Sequence, residues 1–83
     1  MNSSEIILVF ASNNQVLNAE DLLDGLELDF KLIPVPKEVN PNCGLAISFK
    51  SELRPAVMAA LAAAELRPGA VYLRNGDAFR LCG

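Results

Sequence analysis

Ile6-Ile7-Leu8-Val9-Phe10 is an unbroken apolar run. A run this short, with no polar residue to face solvent, reads as a strand buried on both faces at the centre of a sheet. The chain has 83 residues, enough for one core and not two, so residues 1–83 are expected to fold as a single small domain with a common core over about 5–74. A domain of this size buries only about 60% of the surface its unfolded chain exposes, so modest stability is expected. The hydrophobic fraction of 52% lies well above that of disordered chains and argues for a packed fold.

Ser12-Asn13-Asn14 ends the run with three residues suited to capping a helix. Val16, Ala19, Leu23 and Leu26 then recur at helical spacing, which predicts a first helix from about Asn14 to Asp24 with Gly25 as its stop. Leu28, Phe30 and Leu32 alternate with Asp29 and Lys31, the pattern of a half-buried strand, closed by Pro34 and Pro36. Leu45, Ile47 and Phe49 alternate with Ala46 and Ser48 in a third strand that begins directly after Cys43-Gly44. The second helix carries the stripe Leu53, Val57, Ala60, Leu61 and Ala64. It starts at Ser51 with a local distortion or later at Pro55, and Pro68-Gly69 ends it. Val71 and Leu73 form a fourth strand. Asn75-Gly76 is a strong hairpin signal, and a fifth strand from about Asp77 to Cys82 forms the C-terminal extension, residues 75–83.

The order β-α-β-β-α-β predicts an α+β ferredoxin-like sandwich, with two helices on one face of an antiparallel sheet, the other face uncovered, and an extra C-terminal hairpin strand. Right-handed crossovers place strand three between strands one and two, strand four on the other side of strand one, and the hairpin beyond strand four. The start of strand three, the end of strand one and the first turn of helix one then share one end of the sheet. Cys43 is thereby expected near Ser12, Asn13 and Asn14, at the positive end of the helix-one dipole, where a thiolate is stabilised. Gly44 leaves the backbone bare for an approaching atom. Pro34, Pro36 and Pro41 stiffen the loop that presents the thiol, and Lys37 lies in the same loop. The alternative for Cys43 is a small buried apolar residue at a strand start. Cys82 is a possible second thiol. If Phe79 and Leu81 point to the helices, Cys82 points away from them. Three strand spacings, about 14 Å, separate it from Cys43, so no disulfide between them is expected.

Composition removes several classes of function. With no His and two distant Cys the chain cannot complete a zinc site alone, and it lacks the Cys-His or Ser-His pair of an acyl-transfer enzyme. A net charge of -3 with scattered Lys and Arg provides no stripe for phosphate backbones, so nucleic acid is not an expected partner. No stretch approaches the roughly 20 apolar residues of a membrane span and no charged leader precedes the first strand, so the chain is expected in the cytoplasm, with reduced thiols and no membrane partner.

The stretch from Ile6 to Tyr72 resembles the selenium/sulfur carrier-like family of small bacterial domains. The resemblance rests on the apolar first strand, Ala19-Glu20 in helix one, Leu32-Ile33-Pro34-Val35-Pro36-Lys37-Glu38, and Cys43-Gly44-Leu45-Ala46-Ile47 leading into a strand. It implies that Cys43 holds sulfur or selenium as a persulfide or selenide. The chain departs from the family pattern at Asn40-Pro41-Asn42, where the approach to the cysteine is usually small and Ser-rich, and in its terminal Cys82-Gly83.

These features point to a carrier rather than a turnover enzyme. The Cys43 thiolate would accept a chalcogen from a protein donor and pass it to a protein acceptor by thiol exchange, with no cofactor, and the acidic surface would favour basic partners. A protein-interaction or regulatory module with an unreactive Cys43, pairing with itself as a homodimer or with another domain through open sheet edges, is the alternative. Metal transfer would need a second chain to complete the ligand set.

Overall fold

The apolar run becomes strand β1 (Glu5–Val9), which pairs on both sides: Val9 lies opposite Ala46 of one neighbour and Ala70 of the other. The computed structural model describes residues 4–35, 44–76 and 78–81. After β1 come α1 (Asn13–Gly25), β2 (Lys31–Pro34), β3 (Leu45–Lys50), a 3-10 turn (Ser51–Leu53), α2 (Arg54–Ala63), β4 (Ala70–Asn75) and β5 (Ala78–Leu81). The five strands form one sheet in the order β2-β3-β1-β4-β5, with every neighbouring pair antiparallel. This is the order of neighbours expected from right-handed crossovers, and the protein is an α+β domain with two helices.

Alternation along the strands divides the apolar residues between two faces. Ile6, Leu8, Phe10, Ile47, Phe49 and Val71 meet Val16, Ala19 and Leu23 of α1 and Val57 and Leu61 of α2 in the main core. Leu8, Leu23 and Ile47 have 0% of their surface exposed, and burial of side chains this size contributes about 1.5–3 kcal/mol each. No helix residue packs on the opposite face, as expected, yet its centre is buried. Ile7 and Val9 are 2% and 3% exposed there, in a second cluster with Ala46 against which Ile33, Val35, Ala70 and Tyr72 pack. Large side chains from the flanking strands surround the small Ala46, which is how this face hides its apolar centre. Toward the other end of the same face the buried Ser48 hydroxyl donates to a Glu5 carboxylate oxygen at 3.2 Å, and the Arg74 guanidinium stands 4.0 Å from the second oxygen.

Both helices stop differently from expectation. Helix α1 runs through Gly25, and the left-handed residue is Glu27, with φ 58°. The Leu28 N–H then donates to the Leu23 carbonyl at 3.1 Å and the Glu27 N–H to the Asp24 carbonyl at 3.0 Å, which is a Schellman ending. Helix α2 repeats the device well before Pro68-Gly69: Glu65 has φ 59°, Leu66 N–H donates to Leu61 at 2.9 Å, and Glu65 N–H donates to Ala62 at 3.1 Å. In each case the next residue, Leu28 or Leu66, turns back onto the main core. Core contact and two recovered carbonyl partners together hold a glutamate in a conformation that usually selects glycine.

The remaining differences are local. Leu28 and Phe30 pack on the core before β2 begins, so the strand starts at Lys31 and contains Pro34, which an edge strand tolerates because its outer N–H has no partner to lose. Ser51 opens a 3-10 turn and the α-helix takes over at Arg54, leaving Pro55 in the first turn, where a missing N–H costs nothing. The hairpin turn lies one residue later than the Asn75-Gly76 pair, because Asn75 is opposite Ala78 and Gly76 takes the positive φ of 66°. Leu81 lies opposite Tyr72, on the face away from the helices, and is 61% exposed. The premise that Leu81 faces the helices is therefore corrected: its cross-strand partner, not its own hydrophobicity, selects its face.

Candidate functional site

Three chain segments converge at the end of the sheet where β1 stops. Val9 is opposite Ala46, so the start of β3 lies beside the exit of β1, and Pro34 at the end of β2 is opposite Leu45. The helix of α1 begins from the same exit. Ser12, in extended backbone at φ -148°, caps it: the Ser12 hydroxyl oxygen accepts from the Gln15 N–H at 3.3 Å. The Gln15 side-chain oxygen in turn accepts from the Ala11 N–H at 3.1 Å. One unpaired helix donor, the Gln15 N–H, and the Ala11 N–H just before the cap are thereby satisfied reciprocally, which ties the first turn to the segment leaving β1. Asn13 and Asn14 are the first two helical residues, both exposed.

The loop between β2 and β3 is closed at its base by the Val35 N–H, which donates to the Gly44 carbonyl at 3.3 Å. Gly44 is exposed, and a Cβ built on it would have nothing within 4 Å. Its bareness is thus not demanded by the fold. Ser12, Asn13, Asn14, Pro34 and Gly44 all lie at this end of the sheet, as expected from the order of elements. Cys43, Pro36, Pro41 and Lys37 in the loop, and Cys82 beyond β5, lie outside the described residues.

Two surface clefts lie elsewhere. One of about 590 Å³ is lined by Met58, Leu61, Leu66, Arg67 and Pro68 where α2 ends, and one of about 390 Å³ by Glu5, Phe30, Lys31 and Lys50 at the opposite end of the sheet. Neither is lined by a site residue expected from the sequence. Among the described residues no three metal-ligating side chains come together. No helix among them is long and apolar enough to cross a membrane.

Fold and end-of-sheet geometry together define a small α+β domain in which the end of β2, the start of β3 and a capped helix start share one end of the sheet. The chain belongs to the family described as "Putative Se/S carrier protein-like", whose model matches residues 5–73. The match spans β1 through nearly all of β4, includes Cys43-Gly44, and leaves β5 outside. No curated protein and no solved structure matches the chain.

Proposed function

We propose that this protein is a non-catalytic carrier of sulfur or selenium, with Cys43 as the thiol that holds the cargo. The observation that carries this reading is the family match, which runs through Cys43-Gly44. Supporting it is the position of Gly44, the residue that follows Cys43 in the sequence, at the sheet end where α1 begins. We read the domain as a ferredoxin-like sandwich in which strands β1 to β4 and both helices form the common core and β5 is an addition.

In this reading the Cys43 thiolate attacks the outer sulfur of a donor persulfide. A Cys43–S–S bond forms, the donor's S–S bond breaks, and the donor leaves as a thiolate that takes up the proton. Cys43–SH and donor–S–SH thus become Cys43–S–SH and donor–SH with no oxidant or reductant consumed. An acceptor thiolate then removes the outer sulfur by the same exchange, and selenium follows the same path as Cys43–S–SeH. The partial positive charge of the α1 start favours the thiolate over the thiol, and Ser12, Asn13 and Asn14 supply polar groups around it. Pro34 and Pro36 limit the freedom of the loop. Cys82 has the role of a second thiol only if cargo is found on it.

The test is mass spectrometry of the protein purified without reductant from its native host, beside Cys43→Ser. A sulfur or selenium atom on the Cys43 peptide, missing from the variant, is the expected result. An unmodified thiol that also resists loading by a persulfide donor would replace the carrier with an interaction module in the cytoplasm or elsewhere.

A further inference from the structure

The two helices differ on their outer sides. Helix α1 turns Asp21 and Asp24 to solvent, the usual polar face of a surface helix. Helix α2 has no such face. From Pro55 to Ala64 no side chain is polar, so besides the buried Val57 and Leu61 the helix carries a second apolar face of Pro55, Met58, Ala59 and Ala62, spaced i, i+3, i+4 and i+7. A helix that is apolar all round belongs in an interior or an interface. The cleft of about 590 Å³ opens at the C-terminal end of this second face, lined by Met58, Ala62, Leu66 and Pro68. Charge is confined to the flanks. Glu52 and Arg54 precede the apolar segment and Glu65 and Arg67 follow it, all four exposed and none with an ion-pair partner among the described residues.

We infer that a second copy of this chain covers this face and its cleft, with the two α2 helices packed antiparallel about a two-fold axis. The order of the flanking charges selects both the occupant and the direction. Pairing centred between Ala59 and Ala60 sets Arg54 against Glu65 of the second copy and Glu52 against Arg67 of the second copy, and the two-fold repeats both contacts, so each of the four charges meets its opposite. Parallel pairing would set every one of them against itself. In the antiparallel arrangement the exposed Pro55 of one copy comes to the cleft end of the other, and Ala59 and Ala62 let the helix axes approach closely. The seam consists of one helix and its flanks, at the small end for a specific interface, so a dissociation constant of about 1–100 µM is expected. Neither cysteine takes part in it.

Sedimentation equilibrium of the full chain tests the seam over about 1–500 µM, a range that brackets the expected constant, with reductant throughout so that no disulfide between chains contributes. The expected result is a monomer that passes to a dimer, and Cys43→Ser should do the same. Ala62→Glu, a good helix former at an exposed position, should leave only monomer. Arg54→Glu alone sets two carboxylates against each other at both ends of the seam and should raise the dissociation constant at least about tenfold, and Glu65→Arg alone should do so with two guanidinium groups. The double variant Arg54→Glu/Glu65→Arg should return the constant to near its original value, because the exchanged charges again meet opposites. Neither reversal opposes folding, since a carboxylate at the start of α2 and a cation past its end suit the helix dipole, and circular dichroism melts of the dilute monomers check each variant. A monomer at every concentration, a dimer indifferent to Ala62→Glu, or single reversals that the double variant does not rescue overturns the inference. So does a photo-crosslinking amino acid at Ala59 that, in cells of the native host, captures a different protein and no second copy of this chain.

Discussion

The Val35 N–H and the Gly44 carbonyl meet at 3.3 Å and close the base of the loop that joins β2 to β3. The bond uses Gly44's backbone and leaves the space of its missing side chain empty. Gly44→Ala should therefore fold normally and gain about 0.4–1 kcal/mol from reduced freedom of the unfolded chain. In the carrier reading the same methyl stands where the donor approaches Cys43, and loading from a persulfide donor should slow. A melt shows the first effect and the rate of persulfide formation the second; unchanged loading would remove Gly44 from the site.

Ser12 separates the fold from the chemistry. Ser12→Ala removes the acceptor for the Gln15 N–H and should cost about 1 kcal/mol in urea unfolding. Ser12→Asp keeps a cap and should restore most of that stability. In the carrier reading, which sets Cys43 at the α1 start, the new carboxylate raises the pKa of the thiol, so the pH at which Cys43 is half-alkylated should move upward. A stable Ser12→Asp protein with an unmoved alkylation profile would place Cys43 away from the α1 start.

The positions of the left-handed residues give two opposite-looking substitutions the same sign. Glu65→Gly relieves a non-glycine at φ 59° and should stabilise by about 0.5–1 kcal/mol, and Glu27→Gly, at φ 58°, should do likewise. Gly25→Ala should also stabilise, by about 0.5–1 kcal/mol, because Gly25 is helical and its added Cβ meets nothing within 4 Å. Were Gly25 the left-handed stop, alanine there would destabilise, so a chemical denaturation midpoint decides between the two endings.

The second cluster predicts a cost on the face without helices. Ile7→Ala should lose about 2–5 kcal/mol, comparable with Leu8→Ala on the helix side, because both positions are nearly inaccessible. Leu81→Ala, on the same face but at the sheet edge, should change stability by under about 0.5 kcal/mol. Equal and small effects at Ile7 and Leu81 would mean that this face carries no packing.

What was legible in the sequence is what depends on near neighbours along the chain. The unbroken run Ile6 to Phe10 identified the central strand, the 3.6-residue spacing of Val16, Ala19 and Leu23 identified the buried stripe of α1, and the order of elements led to the order of strands. The meeting of Ser12, Pro34 and Gly44 at one sheet end followed from that order, since antiparallel strands bring the exit of one to the entry of the next.

The tertiary structure decided everything that turns on a partner distant in sequence. Leu81 faces away from the helices because it pairs with Tyr72, and Ile7 is buried because Ile33, Val35 and Tyr72 arrive from other strands. Glutamates end both helices because Leu28 and Leu66 gain more by reaching the core than Glu27 and Glu65 lose by turning left-handed. Folding alone turned Asp21 and Asp24 outward beside Leu17, because Val16, Ala19 and Leu23 on the opposite side of α1 met the sheet and the second helix.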